Sequence, residues 1–147
     1  MSILAKLNDD LKTAMKARDK TRVQTLRLVI SQIKNVRIDS DEELSTEQEL
    51  NILLTAAKRR KEAIHAYEAG NRQDLIEIER QELEIINEYL PKQMSDEEIE
   101  KEIADIIKET GASNMKDLGK VMAQVMQRLK GKADGKKVQT IVRSKLA

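Results

Sequence analysis

The chain has 147 residues, with 27 Lys and Arg against 26 Asp and Glu, a formal net charge of +1, one His and no Cys. This length suits one medium domain or two small ones. Because cysteine is absent, the sequence excludes a disulfide framework, a thiolate nucleophile and a thiolate metal site. Phe and Trp are absent as well, so the core must be aliphatic, which suits helix-on-helix packing.

Charge is distributed unevenly along the chain. Residues 1–40 carry a net +5, residues 41–110 carry −11, and residues 111–147 carry +7. A near-neutral protein that concentrates positive charge in one terminal segment is expected to meet an anionic partner there. Because the basic residues of this segment alternate with helical apolar stripes, we expect them to lie on a folded surface.

Compartment and membrane association are predicted from what the sequence lacks. No window approaches the ~18 apolar residues of a membrane span. The first residues, MSILAKLNDDLKTAMK, contain acids and lack the apolar run of a signal peptide. We therefore expect a cytoplasmic protein with no membrane partner.

Helical periodicity predicts four helices before Pro91, which ends the fourth because proline has no N–H to donate. The predicted boundaries are a Ser2 cap, Asp19 before the second helix, the acidic loop DSDEEL, a capping box of Ser45 with Gln48, and the Gly70-Asn71 turn. The predicted apolar stripes are Leu4, Leu7, Leu11, Ala14 and Met15; Val23, Leu26, Ile30 and Ile33, widened by Leu28, Val29 and Val36; Leu50, Leu53, Leu54, Ala57, Ile64 and Tyr67; and Leu75, Ile78, Leu83, Ile86 and Leu90.

Three shorter helices are predicted after the proline, separated by Gly111 and Gly131. Their predicted caps are Ser95 with Glu98, Ser113 or Asn114, and Asp134. Their predicted stripes are Ile99, Ile103, Ile106 and Ile107; Met115, Leu118, Met122, Val125, Met126 and Leu129; and Val138, Ile141, Val142 and Leu146. We expect the three methionines to fill the core. Gly119 costs about 1 kcal/mol relative to alanine inside a helix, which a close approach of another helix or of a nucleic acid would explain.

These elements predict an all-α fold, since no segment alternates as a strand does. The N-terminal four-helix unit is expected to span residues 1–91, and a small three-helix tail domain residues 92–147. The alternative is that the break near the proline is a turn within one domain.

Residues suited to catalysis are sparse. His65 is the single histidine, and we expect it to be solvated or at the edge of the core. Four carboxylates recur along one helix and predict a solvated face: Glu77, Glu79, Glu82 and Glu84. The sequence therefore shows no catalytic constellation, and we expect neither a metal site nor a cofactor.

Each of two basic segments could serve the structure rather than bind a ligand. The run from Lys58 to Lys61 covers more than one helical face and is expected to pair with the acidic fourth helix. The segment KGKADGKK either presents backbone N–H groups to a phosphate at the start of the last helix or forms a flexible turn.

The segment LGKVMAQVMQRLKGKADGKKVQTIVRSKL closely resembles the tail of the B subunit of the glutamine-dependent aspartyl/glutamyl-tRNA amidotransferase. The matching positions are Leu118, Gly119, Gln124, Val125, Met126, Lys130, Gly131, Lys132, Ala133 and Asp134. Upstream, the chain resembles the stand-alone YqeY family at Tyr67, Gly70, Arg72, Asp74, Leu75, Glu79, Glu82, Tyr89, Leu90 and Pro91. Gly135 replaces a proline common in the amidotransferase tail, which favours the stand-alone family.

The resemblance implies a non-catalytic, tRNA-associated accessory protein related to this carbon–nitrogen ligase, because the tail domain helps to hold tRNA and the catalytic body has no counterpart here. The expected RNA-binding residues are Lys116, Lys120, Arg128, Lys130, Lys132, Lys136, Lys137 and Arg143. The expected turn residues are Gly119, Gly131, Ala133 and Asp134. The alternative is a helical adaptor that docks an amidotransferase or an aminoacyl-tRNA synthetase. A component of an enzyme would require a cleft gathering Arg72, Asp74, Glu79 and Glu82.

Overall fold

The computed structural model describes residues 2–39 and 41–147. Throughout these ranges the regular structure is helical and no strand occurs, which confirms the predicted all-α class. The helices are α1 (Ile3–Lys16), α2 (Lys20–Asp39), α3 (Thr46–Ala69), α4 (Gln73–Asn87), α5 (Asp96–Thr110), α6 (Leu118–Arg128) and α7 (Gly135–Leu146), with a 3₁₀ turn at Met115–Asp117. The chain divides into two compact units, the first ending at Pro91 and the second spanning Lys92–Ala147. Of the helices described, none has the length and hydropathy that a bilayer span needs.

Helix α2 contacts every other helix of the first unit. Leu26, Val29 and Ile33 on its inner face are each 1% exposed, against Leu7 of α1 and Leu53 of α3. The buried side chains of this core are aliphatic, with Tyr89 packed at its edge, and burying each large one stabilises the fold by about 1.5–3 kcal/mol. Hydrophobic burial around α2 therefore holds the first unit together.

A buried carboxylate joins α3 to the start of α1. Glu49 lies in the first turn of α3 and is 3% exposed. Its Oε2 accepts a hydrogen bond from the Leu4 N–H at 2.8 Å, while the Ser2 hydroxyl accepts one from the Ala5 N–H at 3.1 Å. The first N–H groups of a helix have no partner within the helix. A distant acid thus completes the cap that the sequence assigned to Ser2 alone.

The predicted helix boundaries are largely confirmed. Ser45 and Gln48 form the reciprocal capping box, and Ser95 accepts a backbone N–H at the start of α5. In the turn after α3, Asn71 has the left-handed conformation (φ 55°), whereas Gly70 does not (φ −92°). Asparagine tolerates this conformation because its short polar side chain bonds locally.

The predicted acidic loop DSDEEL is shorter than expected. Asp39 is the last residue of α2, Ser40 lies outside the described residues, and Asp41 to Leu44 have no regular structure. The loop thus begins after α2 has already included the first acid of the run.

The second unit packs α5, α6 and α7 around its own aliphatic core. Ile103, Val125 and Val142 are each 0% exposed at its centre. The segment before α5 is hydrogen-bonded to the turn before α7, because the Met94 N–H donates to the Lys132 carbonyl at 2.9 Å. The Gln93 side chain donates to the carbonyl of Gly131 at 2.8 Å. These bonds connect the start of the unit to its last turn.

The prediction that the methionines fill this core is wrong for Met115 and Met126, which are 43% and 45% exposed. Met115 lies in the 3₁₀ turn, so it does not continue the stripe of α6. Val121, which the predicted stripe omitted, is fully buried with Val125. The register of α6 therefore places Met126 on the solvent side.

Predicted core positions in the first unit are also exposed. Leu28, Val36 and Ile78 are between 42% and 50% exposed, and so is Met15. Helix α2 buries one face, made of Thr25, Leu26, Val29, Ile30 and Ile33, whereas the wide predicted face required neighbours on more than one side. On α4, Ile86 is buried as predicted, together with Ile76 and Ile85, which the predicted stripe omitted.

We expect Glu49→Ala to lower the free energy of unfolding by about 1–3 kcal/mol, because it leaves the Leu4 N–H without its buried acceptor. Urea denaturation followed by circular dichroism measures this loss. Glu62→Ala is the matched control, since Glu62 is an exposed acid of the same helix. Equal stability of the two variants would contradict the capping role of Glu49.

Candidate nucleic-acid interface

Four of the eight predicted RNA-binding residues already have interaction partners within the chain. Arg128 and Lys137 form ion pairs with Glu109 and Asp96 of α5. Lys120 donates to the Thr110 carbonyl at 3.4 Å, and Lys130 also has an interaction partner. An RNA phosphate would have to compete with these contacts.

The Arg128 pair shows how α5 counters the basic charge of α6. Both terminal guanidinium nitrogens of Arg128 donate to the two carboxylate oxygens of Glu109. This hydrogen bonding raises the pKa of Arg128, and the nearby charges of Glu102 and Asp105 add to the effect. The pair is solvent-exposed, and exposed ion pairs contribute little stability, so it does not lock the arginine.

The other four predicted residues, Lys116, Lys132, Lys136 and Arg143, are exposed and have no ion pair within the described chain. Lys145, which was not among the predicted residues, is also exposed and also has no ion pair within the described chain. Lys136 and Arg143 are seven residues apart on α7 and therefore lie on one face, about two helical turns from each other. Lys132 lies in the turn that leads into this face. We call Lys132, Lys136 and Arg143 the α7 cationic ridge.

The turn before α7 is ordered by the predicted turn residues. Gly131 has the left-handed conformation (φ 75°), its carbonyl accepts the Gln93 bond, and Ala133 is part of the adjoining core. Asp134 caps α7, its carboxylate accepting a hydrogen bond from the Lys136 N–H at 3.3 Å. A carboxylate at a helix N-terminus interacts with the same N–H groups that a phosphate would use. The lysine side chains, rather than the end of α7, are therefore the groups available to an anion.

Gly119 lies in the first turn of α6 and is exposed. A Cβ atom added there would meet no heavy atom within 4 Å. Of the two explanations offered for this glycine, the close approach of a neighbouring helix does not hold, and no packing contact in the described chain requires glycine at this position.

Arg60 of the basic run of α3 pairs with α4. Arg60 is 7% exposed, and its Nε lies 3.3 Å from Glu82 Oε2, although the angle there makes no hydrogen bond. Its Nη1 donates to the Ala56 carbonyl at 3.3 Å. Burial raises the pKa of Glu79, and the negative charge of Glu82 raises it further. This cluster joins two helices and confirms the predicted pairing for Arg60.

The residues that would indicate catalysis do not converge. Arg72 and Asp74 form an exposed ion pair at 3.1 Å, whereas Glu79 and Glu82 lie near Arg60. The His65 side chain is 87% exposed beside Glu68, as predicted for a solvated histidine. Across residues 2–39 and 41–147, no three His, Asp or Glu side chains are grouped closely enough to hold a metal ion.

These features define a small helical protein whose second unit carries an exposed cationic ridge. Residues 4–146 match the family model described as Yqey-like protein, so the chain belongs to the YqeY family. The predicted family membership is therefore confirmed.

Similar proteins are found in fungi under the name altered inheritance of mitochondria protein 41, mitochondrial. The Lachancea thermotolerans relative is 37% identical over 114 residues, covering 76% of this chain and 61% of the relative. The Clavispora lusitaniae relative is 35% identical over 116 residues, covering 77% of this chain and 67% of the relative. The Pyrenophora tritici-repentis relative is 26% identical, and the match covers 97% of this chain and 82% of the relative. The match thus spans about three fifths of the first of these relatives.

The comparisons contradict the cytoplasmic location expected from the sequence, because these relatives are named as mitochondrial proteins. The expectation was wrong because its evidence does not discriminate between compartments. A chain without cysteine or a membrane span suits any aqueous compartment.

We expect Gly119→Ala to raise the free energy of unfolding by about 0.4–1 kcal/mol, because alanine fits the open space and restricts the unfolded chain. Gly111→Ala should lower it, since Gly111 ends α5 with φ 69°. Thermal denaturation of both variants measures the contrast. A destabilised Gly119→Ala protein would show that this glycine is required by the fold.

Proposed function

We propose that this protein is a non-catalytic accessory factor that binds folded RNA through its second unit. The observation that carries the proposal is the α7 cationic ridge, whose three residues are exposed and unpaired within the described chain. Lys116 and Lys145 add two further unpaired cations to the same unit. Exposed Lys and Arg side chains neutralise phosphates and release counterions, which drives binding to nucleic acids.

The composition of the second unit favours recognition of phosphate and shape over recognition of bases. Both tyrosines of the chain, Tyr67 and Tyr89, precede residue 92, so the second unit has no aromatic side chain. Proteins that bind single strands stack bases on aromatic rings. Folded RNA presents phosphates and 2′-hydroxyls in a fixed arrangement instead, and helices with Lys and Arg recognise this arrangement.

Transfer RNA is the folded RNA we propose. The support is the resemblance of residues 118–146 to the tail of the amidotransferase B subunit, a tail that helps to hold tRNA. The α7 ridge includes Lys132 of the matching Lys-Gly-Lys-Ala-Asp turn. The accessory role follows because the resemblance extends to the tail of that subunit and not to its catalytic body.

We expect the triple variant Lys132→Glu, Lys136→Glu and Arg143→Glu to weaken tRNA binding strongly. The log–log slope of affinity against salt should be roughly −4 for the wild type and shallower by about 2–3 in the variant, because three of five phosphate contacts are lost. Filter binding or fluorescence anisotropy at several salt concentrations measures both slopes.

The matched control changes three exposed lysines of the same unit, Lys92, Lys101 and Lys108, to Glu. It alters the net charge of the protein by the same amount without touching α7. Equal loss of binding in both triple variants would show a general charge effect and would contradict a specific ridge. Absence of tRNA binding by the wild type at low salt would refute the proposed function.

A further inference from the structure

Helix α6 carries an apolar strip that its unit leaves partly uncovered. Gly119, Met122 and Met126 are spaced by three and four residues, so they share one side of the helix. Met126 is 45% exposed, and Met122 is half-buried at the edge of the core. A Cβ atom at Gly119 would meet no heavy atom within 4 Å, so the helix backbone is open there. We call these three residues the α6 strip.

The α6 strip lies on the side of α6 that is next to α7. The Met126 Cε atom is 3.7 Å from the position that a Cβ atom of Gly135 would take. Arg128 marks the other side of α6, because it forms an ion pair with α5. It comes nine residues after Gly119, about two and a half turns, and therefore points away from the strip.

The matching side of α7 carries two cations and a carboxamide. Lys137 marks the side of α7 that faces α5, because it pairs with Asp96. Gln139 comes two residues later and points about 160° away from Lys137. Lys136, Gln139 and Arg143 are spaced by three and four residues, so they share this second side. Their side chains are exposed, and none has a hydrogen bond or ion pair within the described residues.

The contact at Met126 sets the register between the two helices. Helices α6 and α7 are joined by a short turn, and the 3₁₀ turn before α6 also contacts α7, so the two helices run antiparallel. Gly119 lies seven residues before Met126, and Arg143 lies eight residues after Gly135. Both counts correspond to roughly 10–12 Å along a helix. Arg143 is therefore level with Gly119, across a groove between α6 and α7.

No acid lies on either helix beside this groove. The sequences of α6 and α7 contain neither Asp nor Glu. The acids that precede the two helices, Asp117 and Asp134, accept hydrogen bonds from the backbone N–H groups of Ser113 and Lys136. The groove is thus apolar on its α6 side and cationic on its α7 side, with the carboxamide of Gln139 between the two cations.

We propose that this groove binds one unpaired nucleotide of the RNA, with the base on the α6 strip and the flanking phosphates on Lys136 and Arg143. The inference rests on the proposed function and adds the feature of the RNA that is recognised. Thioether groups make favourable contacts with aromatic rings. The absence of a side chain at Gly119 lets a flat ring approach the helix backbone. Gln139 offers both a donor and an acceptor to the edge of the base.

The order of groups along α7 favours a nucleotide over an acidic peptide. A cation, a carboxamide and a second cation follow one another, as phosphate, base edge and phosphate do in an RNA strand. An aliphatic acidic helix would match the cations, but it has no flat polar group to lie between Gln139 and Gly119. Because the second unit has no aromatic residue, its methionines are the side chains that can contact the face of a base.

The test uses the full chain and three RNAs: a tRNA, a hairpin with one bulged adenosine, and the same hairpin with an abasic bulge. Both hairpins present the same phosphates, so the ratio of their affinities measures the contribution of the base. Fluorescence anisotropy should show that the bulged adenosine binds roughly three- to tenfold more tightly. The NMR signals of the Met122 and Met126 methyl groups should shift with this hairpin and not with the abasic one.

Variants locate the base. Gly119→Leu should abolish the preference for the bulged adenosine, because leucine fills the open space. Gln124→Leu is the matched control, since it adds the same side chain at an exposed position on another side of α6. Met126→Ser should reduce the preference, whereas Met15→Ser changes an exposed methionine of the first unit and should preserve it. None of these changes removes a cation, so affinity for the abasic hairpin should remain that of the wild type.

The outcomes separate this inference from the proposed function. If the wild type binds tRNA but binds both hairpins equally, or neither, the inference is wrong and the proposed function stands. A full preference in Gly119→Leu that circular dichroism shows to be folded also overturns the inference, and Met126→Ser decides if that variant does not fold. Absence of tRNA binding refutes the proposed function and this inference with it. Shifts of the Met122 and Met126 methyl groups with an acidic helical peptide, without any preference for the base, would replace the nucleotide with a protein partner.

Discussion

Aliphatic packing between helices is the constraint on which the rest of this structure depends. With no Phe or Trp, the chain buries Leu, Ile, Val and Ala in two separate clusters, one in each unit. Each helix has one face in its cluster, so its charged residues must lie on the faces that remain. The positions of the candidate binding residues that lie on helices follow from this orientation. Lys136 and Arg143 point away from the core because Val138 and Val142 occupy the inner face of α7.

The sequence predicts this structure best where a local side chain decides it. Ser2, Ser45 and Asp134 cap their helices as predicted, because a cap depends on neighbours within three residues. The prediction fails where the register of a helix decides burial. On α6, Val121 is buried and Met126 is exposed, because packing against α5 and α7 decides which edge of the apolar stripe is covered, and no local pattern marks that edge.

Long-range pairing is the part of the candidate site that sequence patterns cannot predict. Arg128 pairs with Glu109 across 19 residues, and Lys137 with Asp96 across 41. Glu49 reaches the start of α1 across 45 residues. A count of basic residues includes Arg128 and Lys137 equally with Lys136, although only Lys136 remains without an acidic partner among the described residues. Charge content predicts the sign of the charge that a partner carries, whereas packing decides which charged side chains are available to that partner.

The same pairing gives the second unit two unlike sides. Helix α5 begins with Asp96, Glu97 and Glu98, and its acids engage the cations of α6 and α7 that lie nearest to it. From the 3₁₀ turn onward, Lys116, Lys132, Lys136, Arg143 and Lys145 have no such partner in the described chain. A polyanion that approached α5 would meet carboxylates, whereas one that approached α7 would meet the cationic ridge. The two sides of the unit therefore differ in charge, and a polyanion would be favoured on the α7 side.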